Sequence, residues 1–201
     1  MIIDFVTMQT KRSKSYLKII TTAKKLFWKH GSSRVTIEEL CREAGVSKMT
    51  FYRHFNNKNE IIGKVLEMEF EKGMQEYRGI MALEISFKEK IHQIVLLKQN
   101  MSNGISKELI NDLYTKEEVD LLAIIEKHQE ISLNEFVKDL RVAQENGWIR
   151  KGIKVQFIIY MLNSINEKMK DNNFLDMYEN TQDAIMEVTN FFFYGLFSDP
   201  K

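Results

Sequence analysis

Between Ser47 and His54 the chain sets out six hydrogen-bonding side chains: Ser47, Lys48, Thr50, Tyr52, Arg53 and His54. Hydroxyl, ammonium, guanidinium and imidazole groups suit a polar, anionic partner, because they bond phosphate oxygens and the acceptor edges of bases. Catalytic chemistry finds no comparable run. There is no glycine-rich phosphate loop, no His-Glu-x-x-His, no Cys/His cluster, and no repeated Glu-x-x-His of the kind a di-iron bundle needs. Glu126 and Glu130 flank Lys127 at helical spacing and read as a solvated face. We therefore expect a binding protein rather than an enzyme, with no catalytic residue, no metal site and no cofactor.

The elements around this run would present it to a groove. At about 100° per residue, Phe51 and Phe55 define the buried side of a helix. Met49, Thr50 and Arg53 then point nearly the opposite way, with Tyr52 and His54 flanking them. Ser47 is a good N-cap for this helix. Ahead of it, Thr36 and Glu39 have the spacing of a capping box, and Ile37, Leu40, Cys41 and Ala44 form one apolar stripe. Gly45 gives the intervening turn its backbone freedom. Two short helices so joined make a helix-turn-helix, and the major groove admits a helix of this width.

A further helix is expected from about Ser13 to His30, with Tyr16, Ile19, Ile20, Ala23, Leu26 and Phe27 facing inward and Gly31 as its stop. After the reading helix, Asn57 and Glu60 begin another, which places Lys58 in its first turn, beside free backbone N–H groups that favour phosphate. This helix should continue to about Tyr77 and join the reading head to the rest of the chain.

The stretch Thr36 to Phe55, with Lys58 after it and Ala23 to Gly31 before it, resembles the DNA-binding signature of the TetR family of bacterial transcriptional regulators. The resemblance covers roughly Tyr16 to Ile62. It implies an all-α fold, an N-terminal three-helix DNA-binding domain and a C-terminal helical domain for ligand binding and dimerisation. By their chemistry Met49 and Thr50 are candidates for apolar and polar base contacts, Arg53 for a guanine or a phosphate, and Tyr52, His54 and Lys48 for phosphate, with Thr36 and Ser47 also counted as DNA contacts. For Lys58 the resemblance implies a contact with the DNA backbone. Repression, released by a small-molecule effector, is the family's usual mode. Met49 is a departure, because the family most often has glycine there.

Charge is divided along the chain. Residues 1–60 contain 12 Lys and Arg against 5 Asp and Glu, whereas residues 61–201 contain 17 against 23, so a net charge of +1 conceals a basic third and an acidic remainder. The basic third carries the helix-turn-helix, where cationic surface attracts phosphate through counterion release. Lys11, Arg12 and Lys14 form a basic arm, read as a solvated tail in preference to a minor-groove reader. Met1 and Met8 are both candidate starts. A single cysteine, Cys41, permits no intramolecular disulfide and reads as a small buried hydrophobe. No signal peptide is evident, and the longest apolar run, Val155 to Leu162, is too short for a bilayer. A cytoplasmic protein, nucleoid-associated when bound to DNA, is the expectation.

We assign residues 9–60 to the DNA-binding domain and 61–201 to the effector and dimerisation domain, with about nine helices in all. Ser86 with Glu89 and Thr115 with Glu118 read as helix starts. Ser132 with Glu135 suggests a bend or restart, and Asn146-Gly147-Trp148 reads as a helix stop. Phe87, Ile91, His92, Leu97, Met101, Ile125 and Phe136 are the candidate ligand-pocket residues. The last two helices are apolar on more than one face, so a second copy is the natural cover. Phe157, Met161, Ile165, Ile185, Val188, Phe192 and Leu196 are the candidate contacts of a two-fold homodimer, closed by a four-helix bundle and bound to a near-palindromic double-stranded operator.

Overall fold

The computed structural model describes residues 13–115, 119–169 and 171–194, and it is all-helical. Ten helices follow one another among these residues: α1 (Lys14–His30), α2 (Ile37–Ala44), α3 (Lys48–Tyr52), α4 (Lys58–Met81), α5 (Phe87–Ser102), α6 (Lys107–Thr115), α7 (Val119–Glu145), α8 (Val155–Lys168), α9 (Asn172–Leu175) and α10 (Thr181–Tyr194). The one in excess of expectation is the four-residue α9, which is too short to show a helical period in sequence.

Caps explain most of the boundaries. Ser13 Oγ accepts the Tyr16 N–H and opens α1, while Gly31, at φ 75°, closes it. Thr36, Ser47, Asn57 and Ser86 each accept the amide three residues on, opening α2, α3, α4 and α5. The full reciprocal box forms at Ser86 and Glu89. At the start of α4, Glu60 instead turns its carboxylate to the Asn56 N–H, 2.6 Å away. The Thr115–Glu118 start lies outside the described residues. Gly147 takes φ 74°, and the Trp148 N–H returns to the Ala143 carbonyl at 2.9 Å, as a left-handed stop requires. Trp148 then stacks on Phe87, with ring centroids 5.6 Å apart.

The expected restart at Ser132 does not occur: α7 is one helix of 27 residues. Ser132 donates back to the His128 carbonyl at 2.8 Å, and Glu135 is drawn across to the Arg78 guanidinium on α4. Neither group is left to cap. Beside that pair, one residue earlier on α4 and one turn later on α7, the Tyr77 hydroxyl donates to Asp139 at 2.6 Å. Burial, then that carboxylate, hold the Tyr77 phenol above its ordinary pKa.

Three clusters make the core. The first joins Ile19, Ala23, Phe27, Val35, Leu40, Cys41, Phe51 and Phe55 to Ile61, Ile62 and Val65 of α4, and then to Leu109, Leu113, Leu121 and Ile125 of α6 and α7. Burial raises the Cys41 thiol above its usual pKa, as for an inert core sulfur. A second cluster gathers Phe87, Ile91, Leu140, Ala143, Ile149, Ile158 and Phe192. The third seats Ile110 of α6 against Leu175 and Ala184. The first cluster thus continues past residue 60, through α4 into α6 and α7. Among the described residues, no helix is long and apolar enough to cross a membrane.

Candidate nucleic-acid interface

Five residues make α3, too few for a helix to persist by itself, so its position comes from packing. Phe51 is fully buried, Phe55 almost so, and Tyr16 of α1 stacks on Phe55 with centroids 5.3 Å apart. With that side fixed, the opposite face turns outward. Met49 is 84% exposed, and Lys48, Tyr52 and Arg53 are exposed beside it. A methionine, a phenol and two cations therefore share one protruding surface.

The remaining hydrogen-bonding groups are partly engaged within the fold. Ser47 accepts the Thr50 N–H, and its hydroxyl lies 3.0 Å from that of Thr50, which is half-buried rather than outermost. Thr36 is exposed while its hydroxyl oxygen caps α2. Lys48 pairs with Glu38 across the turn, and that hydrogen bond holds the Glu38 carboxyl below its ordinary range and Lys48 above its own. His54 faces inward: its Nε2 is 2.9 Å from Ser15 Oγ and 3.2 Å from Ser13 Oγ, with the Tyr16 ring edge-on. It fastens the end of α3 to α1 instead of reaching out for phosphate.

Lys58 differs most from its expected place. Its ammonium donates to three carbonyl oxygens of the α1–α2 turn, those of Ser32 (2.8 Å), Ser33 (3.2 Å) and Val35 (3.1 Å). An ammonium has three protons, and all are engaged here. The first turn of α4 holds it against the neighbouring backbone, so in this arrangement it is a clamp rather than a phosphate contact.

This geometry can now be set beside known proteins. Residues 19–65 match the family model of bacterial regulatory proteins, tetR family. The likeness to this family thus covers most of α1, all of α2 and α3, and the start of α4. The HTH-type transcriptional regulator UidR of Escherichia coli (strain K12) is 22% identical to it over 158 residues, covering 73% of this chain and 74% of that protein. Among solved structures, the fatty acid degradation regulator FadR from Bacillus halodurans superposes with a TM-score of 0.72 at 18% identity, covering 93% and 98% of the two chains. The FadR regulator of Bacillus subtilis, in complex with stearoyl-CoA, gives 0.67 at 18% identity, covering 90% and 99%.

Two other regions of this chain were singled out by sequence. Between α8 and α10 lies an open groove of about 280 Å³ lined by Met161, Ser164, Ile165, Lys168, Glu187, Val188 and Phe191. Phe191 in that lining is 73% exposed, and Phe157 and Tyr160 on α8 are 50% and 69% exposed. Ile185 and Phe192 are instead buried in their own chain, Phe192 against Phe136 and Phe193, so they are core residues and not available contacts. Leu196 lies outside the described residues.

The candidate pocket residues do not converge. Phe87, Ile91 and Phe136 belong to the second cluster, Ile125 to the first, and His92 is exposed. Leu97 is half-buried, and Met101 packs on α4, where a Cβ at Gly73 would meet its Cε at 2.6 Å. Sequence reasoning also missed Asp112 on α6, which bonds the α1–α2 turn from some eighty positions away. No local signal marks such a contact.

Proposed function

We propose that this regulator is a homodimer that reads a near-palindromic operator with α3 in the major groove, and that it represses until a small molecule releases it. The observation that carries the reading is the outward face of α3, with Met49, Tyr52, Arg53 and Lys48 displayed from a helix whose other side is locked by Phe51 and Phe55. Arg53 is the candidate for a guanine or a phosphate, Met49 for an apolar base contact, and Lys48, Tyr52, Ser47 and Thr36 for the backbone. Residues up to about Leu66 act as the reading unit, with α4 shared between it and the body. The two reading helices of the dimer fit successive major grooves, about 34–36 Å apart, and the work is done in the cytoplasm on the nucleoid.

The α8–α10 groove supports the dimer. An apolar face with three large side chains extended into solvent is what a second copy covers in a four-helix bundle. For the effector, Phe87, Ile91 and Phe136, which share one apolar cluster, remain the candidate lining. The relative from Bacillus subtilis binds stearoyl-CoA, so long-chain acyl thioesters head the panel to be screened.

Selection of bound sequences from random duplex DNA, followed by fluorescence anisotropy on the enriched site, tests the core of the proposal. We expect a symmetric site bound at least a thousandfold more tightly than random duplex. Equal affinity for both would refute operator reading. A thermal-shift screen of acyl-CoA and cationic ligands tests the effector. A stabilising ligand that also lowers operator affinity is the expected result, and one that stabilises without touching DNA binding would not be an inducer.

A further inference from the structure

The turn joining α1 to α2, residues Gly31 to Val35, is held from two sides. From the reading side, the Lys58 ammonium binds the carbonyls of Ser32, Ser33 and Val35. From the body, Asp112 on α6 takes the turn's donors. Its Oδ2 accepts the Ser33 backbone N–H at 2.8 Å, its Oδ1 accepts the Ser33 hydroxyl at 2.6 Å, and the Ser32 hydroxyl reaches Oδ2 at 3.4 Å. The Ser106 N–H, just ahead of α6, adds a bond to the Trp28 carbonyl at 2.8 Å.

The contact is close as well as polar. Gly31 is buried with φ 75°, and a Cβ there would stand 2.6 Å from Asp112 Oδ2 and 3.0 Å from Glu108 Cβ. Only glycine lets α6 lie against the turn in this way. The same short helix is tied at its other side to the C-terminal helices: Lys107 pairs with Asp176, and Ile110 packs on Leu175 and Ala184. Thus α6 touches both the part of the body that carries the α8–α10 face and the turn from which α2 departs.

Two hydrogen bonds from one carboxylate fix orientation as well as distance, and bonds to an ionised acceptor are the stronger kind. Val35 is followed immediately by the Thr36 cap of α2, so the pitch of α2 and α3 is set where the turn is gripped. We propose that Asp112 is a positioning residue for DNA reading. It holds the reading head at its angle to the body through the α1–α2 turn. This role rests on the operator reading proposed above.

The test uses the full chain as wild type, Asp112→Ala and Asp112→Asn. Hydrogen–deuterium exchange over residues 31–36 reads the joint directly, because the Ser33 amide is one of its bonds. Anisotropy on the selected operator and on random duplex, at several salt concentrations, reads its consequence. Asp112→Ala should exchange faster at 31–36 while 19–27 stays as protected as in wild type. It should bind the operator about tenfold more weakly, with random-duplex affinity and salt slope unchanged. Asp112→Asn keeps an acceptor oxygen and should recover most of both losses. Wild-type operator affinity in the alanine variant, unchanged exchange at 31–36, or an equal loss on operator and random DNA would each overturn the proposal. A wild type that selects no sequence sinks the operator reading itself, and this role with it.

Discussion

Met49 and Lys58 were both placed at the DNA by sequence, and the structure separates them. The methionine stands at the outermost point of α3, touching little of its own chain, so exchanging it changes the partner's surroundings and not the fold's. Met49→Ala should leave stability within about 0.5 kcal/mol. It should also alter base preference at one or two positions of each half-site, by about 1–3 kcal/mol per base pair, as measured by repeating the sequence selection. Lys58 is the opposite case, since its ammonium serves three carbonyls of the neighbouring turn. Lys58→Met should lower the free energy of unfolding by about 1–3 kcal/mol, read from the urea midpoint. The log–log salt slope of DNA binding should stay that of wild type. A slope reduced by about one would return Lys58 to the phosphate backbone.

At the scale of elements, the short helices depend on the long ones. With only five residues, α3 is held by Phe51, Phe55 and the Tyr16 stack, and α2 leaves a turn gripped by α4 and α6. The turn is therefore the sensitive point. Gly31→Ala combines a left-handed φ with an approach of 2.6 Å to the Asp112 carboxylate. The backbone strain alone costs about 1–3 kcal/mol, and thermal unfolding should show a drop of at least that size. Gly45 and Gly147 also have positive φ but meet nothing within 4 Å, so alanine there should cost less than at Gly31. Elsewhere α7 runs unbroken because Ser132 and Glu135, which in sequence look like a cap, are taken by His128 and Arg78.

For the whole molecule, the exposed face of α8 and α10 is the surface on which the proposed homodimer depends. Phe191, Tyr160 and Phe157 line one side of the chain, next to a groove formed by Met161, Ile165 and Val188. Phe191→Glu places a charge at the centre of that face. Light scattering behind a sizing column should then report a monomer at micromolar concentration where wild type is a dimer. Operator affinity should fall by more than tenfold, because the two half-sites would be bound independently. A variant that remained dimeric would put the interface elsewhere.

The helical period, the caps at Ser13, Thr36, Ser47, Asn57 and Ser86, and the opposed faces of Phe51 and Met49 are local properties. They depend on neighbours within about four residues, and for that reason the helix-turn-helix and its outward surface were legible in sequence. Charge distribution was legible too, since it needs only counting. The inward turn of His54, the clamp made by Lys58, the burial of Ile185 and Phe192, and the scattering of the pocket candidates depend on partners far along the chain. An apolar position at helical spacing shows that it is buried, without showing whether its own core or a second chain buries it. A donor shows that it can bond, and whether it meets DNA or a carbonyl from another helix is decided by which elements come to lie beside it. Asp112, some eighty residues from the turn it grips, is the extreme case, and only the packing of α6 against α1 and the turn that follows it reveals it.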